Sequence, residues 1–260
     1  MYEFHRDRSN YIEWQYYIAR DYIIPFLQPA PPPRRVLEIG CGEAGVLKAF
    51  LERGDTCVGV DLDAAKLDYG REYQAAAVAS GRLTLLSSDI YDVDASRDLG
   101  DPFDLIILKD VIEHIHDQER FMRRLGDFLR PGGQVFFGFP PWQMPFGGHQ
   151  QVAENKWASK LPYYHLLPRP LYRSALKLAG ETEGKIEALL EIKDTGISIE
   201  RFEATCRRTG WHVDREKFFL FNPIYQYKFG VKTRQQFGLV NKLPWLRNFL
   251  TTCAYYVVSR

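Results

Sequence analysis

A glycine-rich turn at residues 36–45 is the first feature of the sequence whose residue types point to ligand binding. It reads Val36-Leu-Glu-Ile-Gly40-Cys-Gly42-Glu-Ala-Gly45 and separates a short apolar run from the helical pattern of residues 46–53. Glycines let a ligand approach the backbone closely, and the N-terminus of the following helix favours an anionic group. The turn therefore predicts a ligand site where the first strand ends.

An acidic residue follows at the spacing that a nucleoside ligand requires. Asp61 closes the next apolar run, 21 positions after Gly40, where its carboxylate can accept hydrogen bonds from ribose hydroxyls. These two features fit a nicotinamide dinucleotide and S-adenosylmethionine (SAM) equally well. Two classes of protein, NAD(P)-dependent oxidoreductases and SAM-binding proteins, are therefore open at this point.

Three further motifs favour SAM. They are Ser88-Asp89-Ile90 after the third apolar run, the segment Phe103–His114, and Leu129-Arg-Pro-Gly-Gly-Gln-Val-Phe-Phe. In this order, and together with the glycine-rich turn, they make residues 36–139 resemble the class I SAM-dependent methyltransferases, particularly the group often called type 11. No tyrosine is followed by a lysine four residues later, so the Tyr-x-x-x-Lys pair of short-chain dehydrogenases is absent.

The resemblance implies a role for each matching residue. Glu38 would help to hold the methionine end of SAM, Asp61 the ribose, and Asp89 and Ile90 the adenine. The full set of residues predicted to bind the cofactor is Glu38, Gly40, Cys41, Gly42, Gly45, Asp61, Leu62, Asp89, Ile90 and Lys109. The commonest loop of the family is G-x-G-x-G, whereas this chain has Ala44 at the third glycine. Because alanine is small, we expect cofactor binding to survive.

Short apolar runs alternate with helical patterns along much of the chain. The predicted strands are Val36–Ile39, Cys57–Val60, Leu83–Leu86, Leu105–Leu108 and Val135–Phe139, with two more near Phe218–Phe221 and Thr252–Val258. This alternation predicts an α/β fold with a parallel sheet covered by helices on both faces. The resemblance implies a Rossmann-like, seven-stranded, mostly parallel sheet whose last strand is antiparallel.

The domain organisation follows from where the alternation begins and stops. We predict an N-terminal helical cap at residues 1–34, a SAM-binding core at 35–139, an inserted lid segment at 140–195 and a C-terminal part at 196–260 that completes the sheet. In the cap, a helix at residues 10–28 is predicted to end at Pro25 and Pro29–Pro33. The inserted segment is rich in Pro, Tyr and Trp, with helical patterns near Leu171–Ala179 and Glu183–Ile192. Since connections of this length are usually functional, we expect it to shape the acceptor pocket.

Two histidines are the catalytic candidates. The sulfonium of SAM is already a strong electrophile, so the protein mainly has to hold the acceptor in line with the methyl group. A hydroxyl acceptor must also lose its proton, which suits a histidine. His114 follows the fourth strand and His149 the fifth, at the sheet edge where open α/β folds bind ligands. For both, the alternative is a structural role in capping or packing a helix.

A metal site is a further possibility that the sequence raises. Asp110, Glu113 and His114 stand at positions i, i+3 and i+4, so the three side chains would face one way on a helical turn. Similar Glu-x-x-Glu-His clusters bind a divalent ion in a few related methyltransferases. Because the first member here is the shorter Asp, we favour a role for Glu113 at a helix N-terminus and predict no metal.

Composition and charge bound the remaining properties. After Glu216 the chain has no acidic residue and seven basic ones, which predicts a positive surface that could meet an anionic acceptor or a membrane; nucleic acid is disfavoured because no known binding module accompanies it. No run is long enough to span a membrane, no signal peptide is evident, and the four cysteines are scattered, so a cytoplasmic protein is expected.

The predicted function is methyl transfer from SAM to a small or medium-sized molecule at oxygen. An NAD(P)-dependent oxidoreductase and a non-catalytic SAM-binding protein are the alternatives.

Overall fold

The computed structural model describes residues 8–27, 31–150 and 153–260. Its centre is one sheet of eight strands in the order β3-β2-β1-β4-β5-β8-β6-β7. The strands are β1 (Arg35–Ile39), β2 (Thr56–Asp61), β3 (Leu83–Ser87), β4 (Phe103–Lys109), β5 (Leu129–Phe139), β6 (His212–Phe221), β7 (Arg234–Gln235) and β8 (Cys253–Ser259).

The sheet is mostly parallel, as predicted. Strands β1 to β5 pair in parallel, and β8 lies antiparallel between β5 and β6. The strand count differs from the prediction, because the two-residue β7 adds an eighth strand on the edge next to β6. Two residues are too few to show a strand pattern in sequence. Strand β6 begins at His212, earlier than the predicted start near Phe218. The prediction missed residues 212–217 because they are mostly polar and partly exposed and therefore form no apolar run in the sequence.

Helices cover both faces of the sheet. The α-helices of the described residues are α1 (Arg8–Ile18), α2 (Ile24–Phe26), α3 (Gly45–Glu52), α4 (Ala64–Tyr73), α5 (Ala75–Ala79), α6 (Ala95–Leu99), α7 (Gln118–Leu125), α8 (Arg169–Leu178), α9 (Glu183–Thr195), α10 (Ile199–Arg208), α11 (Ile224–Phe229), α12 (Gly238–Asn241) and α13 (Leu246–Leu250). One apolar core includes Phe121 and Phe202, and the other includes Phe50 and Ile18. Burial of the apolar side chains in these two cores stabilises the packing of the helices on the sheet. The carboxyl ends of the parallel strands lie together at one edge of that sheet.

The N-terminal helical stretch ends next to Pro25. After α1 the chain continues through a π-helical turn, Ala19–Ile23, into the short helix α2, in which Pro25 occupies an early position. The helical stretch ends at Phe26, one residue after Pro25, because a proline lacks the N–H that would continue the hydrogen-bond pattern. This end agrees with the predicted one, and residues 28–30 lie outside the described part of the chain.

The segment predicted as an insertion contains both expected helices, α8 and α9. They share a small apolar core of their own, which includes Tyr172, Leu176, Ile186 and Leu189. The two ends of the segment meet where the Trp142 N–H donates to the carbonyl of Ile197 at 2.7 Å. The segment thus packs as a compact unit beside the carboxyl edge of the sheet.

Candidate functional site

A cavity of about 740 Å³ lies at the carboxyl ends of β1, β2 and β4. All ten residues predicted to bind the cofactor line it, together with the catalytic candidate His114. Parallel strands end at the same edge of the sheet, so motifs far apart in sequence meet there.

The glycine-rich turn has the backbone conformation that its composition predicts. Gly40 and Gly42 have φ angles of +73° and +53°, and a Cβ on Gly40 would lie 2.5 Å from Val111. Ala44 also adopts a left-handed conformation, with φ of 59°, immediately before α3. That conformation explains why glycine is common here in the family, and it costs an alanine roughly 1–2 kcal/mol.

Gly45 has a packing role that its motif position does not suggest. A Cβ on it would lie 2.7 Å from the carbonyl oxygen of Ile12 and 2.8 Å from Cβ of Gln15. The absence of a side chain therefore allows α1 to pack closely on the first turn of α3. Through this contact Gly45 positions the wall of the cavity.

Asp61 holds the turn in place. Its carboxylate accepts hydrogen bonds from the backbone N–H of Gly42 at 2.7 Å and of Asp63 at 2.9 Å. A carboxylate can accept about four hydrogen bonds, so acceptor sites remain for a ribose.

Asp61→Ala is expected to weaken SAM binding about 10- to 100-fold, since a lost charge-assisted hydrogen bond costs roughly 1.5–3 kcal/mol. Calorimetric titration of SAM measures this, with the exposed Asp68→Ala as control and a melting temperature to show that the turn still folds. Unchanged affinity in a folded variant would remove Asp61 from the ribose site.

Glu38 is a buried carboxyl group facing the cavity. Its side chain is 3 % exposed, and Oε2 has no hydrogen-bond partner among the described residues. Burial raises the pKa of Glu38 well above its usual range, although nearby Lys109 acts in the opposite direction. Lys109 is itself buried, and it forms an ion pair with Asp110. Despite burial, Asp110 and other nearby groups raise the pKa of Lys109, which keeps it charged.

The side of the cavity assigned to adenine combines an exposed and a buried apolar residue. Leu62 is 74 % exposed at the rim, whereas Ile90 is buried. Asp89 accepts a hydrogen bond from the Tyr91 N–H at 2.9 Å, and its side chain is otherwise exposed. This arrangement offers an apolar surface to the ring of a nucleobase and a carboxylate to its amino group.

Helix α1 supplies cavity residues that the sequence did not reveal. Tyr11, Ile12 and Gln15 line the cavity. Trp14, Tyr16 and Tyr17, on the same helix, are only half-buried. The hydroxyl of Tyr16 donates to Glu52 at 2.6 Å. The helical pattern identified the helix, but which face meets the cavity depends on its packing at Gly45.

The two catalytic candidates lie side by side. The ring centroids of His114 and His149 are 5.1 Å apart. With Glu113 they form a cluster whose three potential ligand atoms all lie within 4.8 Å of one another. Glu113 is buried, and neither of its carboxylate oxygens has a hydrogen-bond partner within the described ranges.

Desolvation disfavours the charged forms in this cluster, in which Glu113 is buried, His149 is partly exposed and His114 is exposed at the surface. Desolvation lowers the pKa of His149 to about 4 and also lowers that of His114, and it raises the pKa of Glu113 well above its usual range. Both imidazoles are therefore neutral at pH 7. A neutral imidazole has a lone pair that can accept a proton or bind a cation.

Asp110 is not part of the cluster, although its spacing suggested so. It has a positive φ of 57°, and the turn that follows is a 3₁₀-helix at Ile112–His114. Its carboxylate pairs with Lys109 instead. His149, 35 residues beyond His114, takes the third position, so the set considered from sequence is wrong in one member.

The Gly147-Gly148 pair before His149 has a packing reason. A Cβ on Gly147 would lie 2.2 Å from the carbonyl oxygen of Trp142, and one on Gly148 would lie 2.5 Å from Cβ of His165. The two glycines therefore let the loop fold tightly around Trp142 and His165, which positions His149.

His165 is a structural histidine. It is fully buried, with Nε2 at 2.8 Å from the carbonyl oxygen of Trp142 and Nδ1 at 3.3 Å from the amide of Gln150. Burial lowers the pKa of His165 to about 4.

The stability contributed at His165 is expected to be complete above pH 6.5 and to be lost as the pH falls towards 4. In this window the unfolded chain binds a proton that the folded chain does not, which costs about 2 kcal/mol by pH 5. Urea unfolding at pH 7.5 and 5 should show a weaker pH dependence in His165→Gln than in the parent or in the exposed His116→Gln. Equal pH dependence in all three would contradict the assignment.

The fold and the cavity together are those of a SAM-binding methyltransferase domain. The family described as "Methyltransferase domain" matches residues 11–179, which is well over half of the sequence, and the chain belongs to this family. The nicotinamide alternative is therefore wrong.

Relatives and solved structures agree with this class. The chain is 28 % identical over 104 residues to the ubiquinone biosynthesis O-methyltransferase of Pseudomonas syringae pv. tomato and 30 % identical over 102 residues to that of a Chelativorans species. These matches cover 40 % and 39 % of this chain, and only 43 % and 38 % of the relatives.

Two solved structures share the fold over nearly the whole chain. Geranyl diphosphate C-methyltransferase of Streptomyces coelicolor superposes with a TM-score of 0.57 at 14 % identity, covering 99 % of this chain and 81 % of that one. A SAM-dependent methyltransferase of Mesorhizobium loti gives 0.55 at 18 % identity, covering 93 % and 98 %. At these identities the similarity concerns the fold.

Proposed function

We propose that this protein transfers a methyl group from SAM to a hydroxyl oxygen of a small or medium-sized acceptor. The observation that carries the proposal is the position of His114, which lines the cofactor cavity and also lies beside His149. A group that can take up the hydroxyl proton is thus placed next to the methyl donor site. The curated relatives, which are O-methyltransferases by name, support oxygen as the acceptor atom.

The residues of the cavity fit SAM. The unpaired carboxylate oxygen of Glu38 suits the ammonium of the methionine part, Asp61 suits the ribose, and Asp89 with Leu62 suits the adenine. When bound, SAM supplies an activated methyl group. The protein has to hold the acceptor in line, exclude water and accept one proton.

The inserted segment at 140–195 is assigned to the acceptor wall. It carries His149, and its ends are joined beside the sheet edge. Helix α11 brings Tyr225 and Lys228 close enough to Asp110 for electrostatic interaction. Burial and the neighbouring Lys109 lower the pKa of Lys228. The amino group of Lys228 would favour an acceptor with a partial or full negative charge.

The proposal is tested with labelled SAM and a panel of paired acceptors that carry either a hydroxyl or an amine on the same scaffold. Appearance of S-adenosylhomocysteine together with a methylated hydroxyl is the expected result. Methylation of the amines alone would show that the acceptor atom is nitrogen and not oxygen. Cofactor binding without turnover on any acceptor or cell extract would favour a non-catalytic SAM-binding protein.

A divalent cation at Glu113, His114 and His149 is the second candidate arrangement, favoured by the mutual distances of the three ligand atoms. Two imidazoles and one carboxylate form a ligand set that suits Zn²⁺. The unpaired oxygens of Glu113 fit this role, because a buried carboxylate is stable when it binds a cation. A bound cation would polarise the acceptor hydroxyl and lower its pKa.

Zinc titration of chelator-treated protein is expected to show one site if the cluster binds metal, and Glu113→Gln should abolish it. Glu72→Gln, at an exposed position of α4, serves as the matched control. Full methyl transfer in chelated protein with no zinc binding would assign the histidines to proton removal alone.

No helix of the described residues is long and apolar enough to cross a membrane. The cytoplasmic location stays a proposal, supported by four cysteines that are all free and buried.

A further inference from the structure

One surface segment reverses the usual distribution of polar and apolar side chains. Residues 237–250, here called the 237–250 loop, follow β7 and contain α12 and α13. The exposed apolar side chains of the loop, between 36 % and 75 % accessible, are Phe237, Leu239, Leu243, Trp245, Leu246, Phe249 and Leu250. Two of its polar residues, Arg247 and Asn248, are in contrast buried.

The buried polar side chains anchor the loop firmly. Asn248 accepts a hydrogen bond from the Ile199 N–H at 2.8 Å and donates to Glu200 at 2.6 Å. Arg247 donates to both Glu200 and Glu203 at 2.9 Å. The amide of Gln236 donates to the Leu250 carbonyl at 2.6 Å, which ties the two ends of the loop together. These hydrogen bonds therefore fix the loop in the orientation that exposes its apolar side chains.

Exposed apolar side chains are concentrated in this region. Ten of the large ones lie between residues 221 and 250, and seven lie in the rest of the described chain. Single exposed apolar residues are ordinary, but a dense group of them marks a surface that meets a partner or a membrane.

The charge around the loop indicates the partner. No acidic residue follows Glu216 in the sequence, and Lys232, Arg234 and Lys242 are exposed. The guanidinium of Arg234 lies 4.9 Å from the ring centre of Phe237. The carboxylates of Glu200 and Glu203, which contact the loop, are paired with Arg247. A second copy of the chain would bring two positive surfaces together, whereas an anionic bilayer complements them.

We propose that the 237–250 loop docks this protein on an anionic lipid bilayer. The leucines and aromatic rings enter the boundary between headgroups and acyl chains, and Lys232, Arg234 and Lys242 contact lipid phosphates. Tryptophan and lysine are favoured at this depth because each has an apolar part and a polar end.

The loop also contacts the proposed acceptor wall. The hydroxyl of Tyr163 donates to the Phe249 carbonyl at 3.1 Å, and their ring centroids are 6.4 Å apart. Tyr163 belongs to the same inserted segment as His149. A docked protein would hold that segment at the lipid surface and could take an acceptor from it; this consequence rests on the proposed function, but docking itself does not.

Vesicle flotation tests the proposal without any acceptor. The full chain is expected to float with phosphatidylcholine vesicles that contain phosphatidylglycerol and to remain unbound with phosphatidylcholine alone. Removing three cations, by Lys232→Gln, Arg234→Gln and Lys242→Gln, should lower partitioning about 100-fold at low salt. The matched control removes three cations elsewhere: Lys177→Gln, Lys185→Gln and Arg207→Gln.

The apolar contribution is tested with Trp245→Ser/Leu246→Ser, which should lower partitioning at least about tenfold. Leu178→Ser, at a position that is 90 % exposed on α8, is the control and should change nothing. Equal losses in test and control variants, or no flotation of the parent chain, would overturn the proposal. Light scattering that shows a dimer dissociated by Trp245→Ser/Leu246→Ser would overturn it in favour of a self-interface.

Discussion

His149→Ala is expected to lower the rate of methyl transfer by about 10²- to 10⁴-fold, the usual contribution of a general base, while SAM affinity changes little. The reason is the position of His149, which contacts His114 but does not itself line the cofactor cavity. The same variant removes a ligand if the cluster holds zinc, so the zinc titration of the Glu113→Gln protein separates the two roles.

Three measurements on one variant make this result interpretable: melting temperature, SAM affinity by calorimetry and turnover. His149 has a φ of 53°, so His149→Asn is the better tolerated second variant, because asparagine adopts this conformation readily. His116→Ala, on the exposed surface, is the control. Full turnover in a stable His149→Asn protein would leave His114 as the remaining candidate, whereas parallel loss of stability, binding and turnover would indicate a structural histidine.

Glu38→Gln is expected to weaken SAM binding by about 30-fold or more, since losing one partner of a buried charge pair typically costs 2–5 kcal/mol. Glu38 is buried with a raised pKa, so in the free protein its carboxyl group retains its proton to a higher pH than an ordinary glutamate. A bound ammonium lowers that pKa, and binding should therefore release a proton.

Calorimetry in two buffers of different ionisation enthalpy detects this proton directly. The parent chain should show a buffer-dependent binding enthalpy, and Glu38→Gln should not. Glu72→Gln, at an exposed position of α4, provides the matched control. The same proton release in Glu38→Gln as in the parent chain would contradict the assignment of Glu38 to the ammonium.

Much of the cofactor side could be predicted from the sequence, and the reason is local. Gly40 and Gly42 form the turn directly after one strand, Asp61 is the last residue of the next, and Asp89 comes shortly after a third strand of the same parallel sheet. Once buried apolar runs define the strands, the positions at their carboxyl ends are brought to one edge without further information. The family resemblance then associated Asp61 with the ribose and Asp89 with the adenine of SAM.

The acceptor side depended on tertiary structure. His149 joins Glu113 and His114 only because Gly147 and Gly148 pack against Trp142 and His165, and Asp110 leaves the set because a positive φ turns it towards Lys109. Neither the packing of the two glycines nor the positive φ of Asp110 produces a periodic pattern in the sequence.

The sequence by itself determined the sheet, the cofactor motifs and the basic character of the C-terminal part. Only the tertiary structure decided that α1 lines the cavity and that Arg247 and Asn248 face inwards while Trp245 and Leu246 face outwards. Strand and turn patterns arise from interactions between near neighbours in the chain. The faces of helices and loops are chosen instead by contacts between distant segments, such as Asn248 with Ile199 and Gly45 with Ile12.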